Sequence, residues 1–195
     1  AGDTALWLTS PDGVRPLTAR AVLLATGCRE RPRAARLVPG SRPAGVYTTG
    51  TIQQMVHRHG LSPGRAAVIV GAEHVSFSAI HTLHAGGTTT VAMITEFPRD
   101  QTYAPLRWLT AGRHRVPIVA GSRVTRILGT RRVEAVDVTR QGDGTVHRIA
   151  CDTVVFTGDW VPDHELARRG GLRMDPARRS PHTDGALRTS RPGVF

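Results

Sequence analysis

Apolar residues along the chain fall into short continuous runs separated by turn residues, with few long amphipathic stretches. Residues 21–25 (AVLLA), 66–70 (AAVIV) and 153–156 (TVVF) are almost wholly apolar. Runs of this length suit strands buried on both faces. Residues 89–95 (TTVAMIT) read as a further strand and 117–120 as a short one. Strict alternation marks other segments. Residues 5–9 and 14–17 flank Ser10-Pro11-Asp12-Gly13 and predict a hairpin. Residues 123–128, 133–139 and 146–150 predict an antiparallel meander, with Gly142-Asp143-Gly144 as its last turn. Helical spacing appears over 52–59, where Ile52, Met55, Val56 and His59 share a face, and over 75–84, 104–113 and 164–169. Residues 28–50, rich in Arg, Pro and Gly, read as a connection, and 170–195 as a turn-rich tail. No internal repeat is visible.

The segment 66–95 reads strand, tight turn, helix, strand, which is a βαβ unit with parallel strands and a right-handed crossover. The expected fold is therefore α/β: a Rossmann-like, three-layer domain with a parallel sheet, helices and an antiparallel meander over one face. The loop between strand and helix, Gly71-Ala72-Glu73-His74-Val75-Ser76, sits where a dinucleotide fingerprint would lie. In that fingerprint the first glycine allows the turn, the second lets a pyrophosphate approach the backbone, and the third allows helix and strand to pack closely. Gly71 keeps the first role, and Ser76 is small enough for the third. Glu73 takes the second position, where side chain and charge oppose a pyrophosphate by roughly a few kcal/mol. His74 could face phosphate, pair with Glu73 or remain an exposed loop residue. Glu96 follows Ser76 by twenty positions, where an acid would bind ribose hydroxyls and favour NAD over NADP. Two readings stand for this stretch: a nicotinamide site weakened by Glu73, or a structural βαβ unit with an empty crevice.

The 195 residues allow one ordinary domain, or one and part of another. Formal net charge is +11, which raises nucleic acid as a partner. All 26 basic residues are arginine and scattered, and aromatics make up only 5%, too few for a base-stacking platform, so no nucleic-acid partner is expected. No apolar run approaches the roughly 18 residues of a membrane span, and no signal-like N-terminus is present, so a cytoplasmic protein is expected. Cys28 and Cys151 are far apart and without C-x-x-C; both are expected to be buried small residues rather than a redox pair. His81 and His84 stand three apart on a helix without a carboxylate to complete a ligand set, and no metal site is expected.

Two apolar runs end in Thr-Gly: AVLLATG at 21–27 and TVVFTG at 153–158, the latter continuing as Gly158-Asp159-Trp160-Val161-Pro162. With the βαβ unit between them, this order resembles the two-dinucleotide-domain flavoproteins of the pyridine nucleotide-disulfide oxidoreductase class. TSRPGVF (189–195) resembles the approach to that family's final FAD motif, and ATGCRERPR (25–33) followed by PGSRPAGVYTTGTIQ (39–53) is similar to one FAD-dependent branch. That branch includes the sarcosine oxidase alpha subunit, opine oxidase and hydrogen cyanide synthase subunits. The resemblance covers essentially the whole chain; the branch's loop is usually glycine-rich, and GAEHVS departs from it.

The resemblance implies a middle piece of a longer flavoprotein. Residues 1–38 would end a first FAD segment, 39–160 would form an NAD(P)-binding-type domain, and 161–195 would start the return to the FAD domain. A piece of this kind is expected to bind FAD poorly and to be inactive alone. Thr26 and Gly27 are the implied flavin neighbours. Arg29, within Arg29-Glu30-Arg31, is either a cofactor contact or part of a salt-bridged junction. The implied cofactor-binding set is Thr26, Gly27, Arg29, Gly71, Ala72, Glu73, His74, Val75, Ser76, Glu96 and Gly158. No catalytic residue is implied, because the flavin carries the chemistry. The implied activity passes electrons between flavin and either a small amine, amino-acid-like or hydroxy-acid substrate or NAD(H), alongside other subunits of a heteromeric oxidase or dehydrogenase. The alternative is a non-catalytic dinucleotide-fold module that serves subunit contacts.

Overall fold

The computed structural model describes residues 4–195. The chain divides into two compact units, Glu30–Trp160 and a discontinuous one made of Ala1–Arg29 with Val161–Phe195.

The Glu30–Trp160 unit is built on a five-stranded parallel sheet. Its order is Val46–Thr48, Thr153–Phe156, Ala66–Val70, Thr89–Ile94, Ile118–Val119. Alternation of side chains explains why these strands read as continuous apolar runs. Ala67, Ile69, Met93 and Val155 point to one face, where they pack with Phe77, Ile80 and Leu83 of the helix His74–Ala85. Val68, Ala92, Ile94, Val154 and Phe156 point to the other, onto Val124, Ile127, Val136 and Val138 of the meander. That meander is a three-stranded antiparallel sheet, Ser122–Leu128, Ala135–Arg140 and Val146–Ala150. Helices, parallel sheet and antiparallel sheet thus form the three expected layers.

Several expectations need correction. Val46–Thr48, read as connection, is the edge strand beside Thr153–Phe156. Residues 21–25, read as a strand buried on both faces, carry only an isolated bridge from Val22 to Val194. Val22 is buried, while Leu23 is 73% exposed. Backbone bonds run from Val22 and Leu24 to the 193–195 segment on one edge only. A doubly buried strand needs neighbours on both edges and a layer on each face, and this unit supplies neither among the described residues. The helix expected over 52–59 starts earlier, as Thr49–Gln53, and widens into a π turn at Gln54–Arg58. The wider turn rotates the face: Ile52 stays buried and His59 is exposed. The helix over 104–113 is likewise Ala104–Arg107 followed by a π turn, Trp108–Gly112.

In the discontinuous unit, Thr4–Ser10 and Gly13–Ala19 form the expected hairpin around Pro11-Asp12. Val22, Ala167, Leu172 and Val194 make its small core. No helix among the described residues is long and apolar enough to cross a membrane.

Candidate dinucleotide-type crevice

Strand order reverses around Ala66–Val70. The βαβ crossover places Thr89–Ile94 on one side of it, and the chain returns through the meander to place Thr153–Phe156 on the other. In open α/β sheets such a switch point leaves a crevice at the carboxyl ends of the strands. Here a cavity of about 1050 Å³ opens there, lined by Gly71, Glu73, Glu96, Arg36, Thr157 and Gly158 among others.

Gly71 turns the chain with φ +135°, a conformation that glycine adopts freely. The helix His74–Ala85 begins directly after it, with Glu73 as N-cap. Ser76 is fully buried, and its hydroxyl meets the Thr157 hydroxyl at 2.5 Å. The Thr157 hydroxyl also donates to the Val70 carbonyl at 3.1 Å. The small residue at the third fingerprint position therefore does the packing job expected of it. Ala72 is buried, and its carbonyl accepts the Gln101 N–H at 2.9 Å. Val75 is partly buried.

The Glu73 side chain makes no capping hydrogen bond to the helix. Its carboxylate lies between the two glycine turns instead. A β-carbon placed on Gly158 would stand 2.4 Å from Glu73 Oε1, and one on Gly71 would stand 2.8 Å from Glu73 Oε2. Glu73 Oε1 is buried and has no hydrogen-bond partner. His74 is exposed and leans on Tyr103, with ring centroids 5.3 Å apart, and it forms no ion pair with Glu73. A diphosphate, the group that a fingerprint loop holds, does not fit while that carboxylate occupies its approach.

Glu96 is exposed at the crevice lip, at the end of Thr89–Ile94. Arg36, absent from the expected set, reaches the crevice from a distant part of the chain. Its Nη2 donates to the carbonyls of Thr157 and Gly158 at 2.7 and 2.9 Å, and its Nε to that of Arg31 at 2.7 Å. Its guanidinium stands 5.2 Å from the Phe156 ring centroid. Burial pulls its pKa down, while Asp159 and Glu73 push it up. Nothing local marks Arg36 as a crevice residue, since the two carbonyls that hold it there, those of Thr157 and Gly158, lie more than 120 positions away. Arg31 pairs with Asp159 at 3.4 Å, and Glu30 accepts the N–H groups of Thr49 and Gly50. These two residues do structural work within the unit; Arg29 is exposed.

In the discontinuous unit Thr26 and Gly27 are exposed. The Thr26 hydroxyl donates to the Asp163 carbonyl, and the Asp163 N–H to the Gly27 carbonyl. Gly27 has φ +67° and open space where a β-carbon would stand. Cys28 is exposed, against expectation, because it follows this open turn; Cys151 is buried, and burial followed by Asp152 pushes its thiol up to about 11. His81 and His84 meet His114, but no group of three or more His, Cys, Asp or Glu among the described residues is arranged to hold a metal ion.

Comparison with known proteins agrees with this geometry. Residues 5–195 match the family model described as pyridine nucleotide-disulphide oxidoreductase. The alpha chain of sarcosine oxidase from Rhizobium meliloti (strain 1021) is 28% identical over 159 residues, 80% of this chain and 14% of that protein. An opine oxidase subunit of the same organism is 24% identical over 97% of this chain and 46% of its own length. The chain thus spans less than half the length of either relative. Among solved structures, T. acidophilum thioredoxin reductase superposes with a TM-score of 0.73 at 18% identity, covering 100% of this chain and 64% of that one. An FAD-dependent pyridine nucleotide-disulphide oxidoreductase from Desulfovibrio vulgaris does so with a TM-score of 0.68 at 23% identity, covering 95% and 47%. Crevice, three-layer sheet and a family match from Ala5 to the last residue converge on one conclusion: the chain belongs to the pyridine nucleotide-disulphide oxidoreductase family.

Proposed function

We propose that this chain is part of an FAD-dependent oxidoreductase that passes electrons between a small organic substrate, an amine or amino-acid-like molecule, and the flavin. One observation carries the reading. The Glu30–Trp160 unit interrupts another unit built from the segments on either side of it. A flavin domain interrupted by a nicotinamide-type domain is the arrangement that the sequence resemblance implies. On this assignment the NAD(P)-binding-type domain, expected over 39–160, starts instead at Glu30, where the compact unit begins, and the flavin side keeps Ala1–Arg29 and Val161–Phe195. Bound FAD would supply reversible two-electron chemistry. Thr26 and Gly27 would meet it, since the open face of Gly27 leaves backbone that a cofactor can approach closely. The substrate class follows the relatives, which are named sarcosine oxidase and opine oxidase. Both are named as subunits, so further subunits belong to the proposal.

The test uses the FAD-loaded full-length protein without oxygen. Sarcosine or an N-carboxyalkyl amino acid should bleach the flavin absorbance. Bleaching by NADH alone would overturn the substrate class.

A non-catalytic role in subunit contact is the second reading. The adjacent exposed side chains of Trp108 (71%) and Leu109 (66%) favour it. A full-length protein that holds no FAD, or whose flavin neither the amines nor NADH bleaches, would establish it over the first.

A further inference from the structure

We infer that Glu73 is a fixed plug, lodged against Gly158 in the place a diphosphate would take, so that this chain's own side chain closes the crevice to dinucleotides. The inference concerns the crevice alone and stands whether or not the organic substrate proposed above is correct.

Three observations carry it. The first is position. Glu73 stands at the loop position whose side chain faces an approaching pyrophosphate, at the switch point of the sheet. The second is fit. Gly158, with φ +61°, leaves by its missing β-carbon the room that Glu73 Oε1 fills, and a methyl group there would come within 2.4 Å of that oxygen. Gly71 leaves similar room beside Oε2, shared with the hydroxyls of Thr157 and Ser76. The two glycines are therefore shaped around the carboxylate as much as around a turn. The third is that Glu73 Oε1 is buried and unpartnered. A flexible glutamate at a crevice lip would ordinarily turn to water to satisfy that oxygen. Its backbone is held by the bridge from Glu73 to Gln101 and by the Gln101 N–H on the Ala72 carbonyl, and its carboxylate stays inward, in the space beside Gly158 and Gly71. Arg36, held on the carbonyls of Thr157 and Gly158, adds positive charge to the same crevice. The carboxylate thus stands in for an anion and repels a second one at close range.

Gly158 changes role on this view. It serves as the socket of Glu73 and is not primarily a glycine for cofactor approach. That pairing has a consequence that a solvent-facing Glu73 lacks: the cost of a side chain at 158 must depend on what occupies 73.

The experiment has two arms on the full-length FAD-loaded protein. Calorimetry with NAD+, which cannot reduce the flavin, measures the crevice. The unaltered protein should bind weakly. Glu73→Gly should bind about tenfold more tightly or better, the loss of one close like-charge contact. Glu73→Gln keeps the shape and loses the charge, so it should fall between them. Equal affinity in the unaltered protein and Glu73→Gly overturns the inference. Glu73→Gln matching Glu73→Gly overturns the steric part. The second arm is a double-mutant cycle on urea stability. Gly158→Ala should lower the midpoint more with Glu73 present than in the Glu73→Gly background, where only the left-handed backbone resists alanine. Equal penalties in the two backgrounds show that Glu73 does not occupy the socket. This arm reads stability and is blind to the identity of the substrate, so its failure leaves the proposed function untouched.

Discussion

Asp152 illustrates how one side chain fixes the start of a central strand. Its carboxylate accepts the N–H groups of Arg65 at 2.9 Å and Ala66 at 3.1 Å, and the Thr153 hydroxyl at 2.9 Å. Burial pushes its pKa up, but the N–H groups of Ala66 and Arg65, then Thr153 and Arg132, outweigh that and hold it below the usual carboxylate range. Asparagine would turn an NH2 towards backbone donors. Asp152→Asn is therefore expected to cost about 1–3 kcal/mol, measured by urea unfolding. Its neighbour Cys151 behaves oppositely, with a buried thiol raised to about 11. A maleimide at pH 7.5 should label Cys28 alone in the folded chain and both cysteines in urea. Two labels on the folded chain would show that the 151 site opens readily. At this scale the sequence marked Glu73 but not its socket. The loop spacing singled out residue 73, whereas Gly158 and Arg36 join it only through the fold.

Among the elements, those defined by their own side chains were legible. Ala66–Val70 and Thr153–Phe156 coincide with the apolar runs, because strands covered on both faces need apolar residues at every position. The helix His74–Ala85 begins one residue before its expected start, where Gly71 ends the turn region. Val46–Thr48 was hidden because three residues between glycines and threonines carry no period; the neighbouring strand Thr153–Phe156 creates it. AVLLA erred in the other direction, since an apolar run becomes a doubly buried strand only where partners pair with both edges and layers cover both faces. The helix Thr49–Gln53 has no side-chain cap of its own and takes one from Glu30, whose carboxylate receives the N–H of Thr49 at 3.2 Å and of Gly50 at 3.0 Å. Glu30→Ala should lose about 1 kcal/mol, as other cap removals do, seen as a lower urea midpoint at constant slope. An unchanged midpoint would mean that water replaces the cap without cost.

For the molecule as a whole, the net charge of +11 makes acid the weak side. Asp137 is held below its ordinary pKa by its bond to Arg148, and Asp143, Asp175 and Asp184 by backbone N–H groups of Thr145, Arg178 and Arg188 respectively. Asp152 shares that direction. Burial, then His84, His81 and Arg113, pull the His114 imidazole down as well. Each group holds fewer protons folded than unfolded in acid. Its contribution is complete above the unfolded pKa, about 6.5 for the histidine and about 3.9 for the aspartates, and is lost as pH falls through the lower folded value. The urea midpoint should therefore hold on the neutral side, dip slightly below pH 6.5 and fall steeply below pH 4. A midpoint that rises on acidification would contradict those depressed values.

By itself the sequence determined the α/β class, the βαβ unit, the meander and the departure at residue 73, because each is written in periodicity or in neighbouring residues. Only the tertiary structure decided the edge strand, the fate of AVLLA, the contact of Glu73 with Gly158 and the arrival of Arg36 at the same crevice. Those depend on which segments the fold brings side by side, and a pairing between residues 73 and 158 leaves no periodic trace in either stretch of chain.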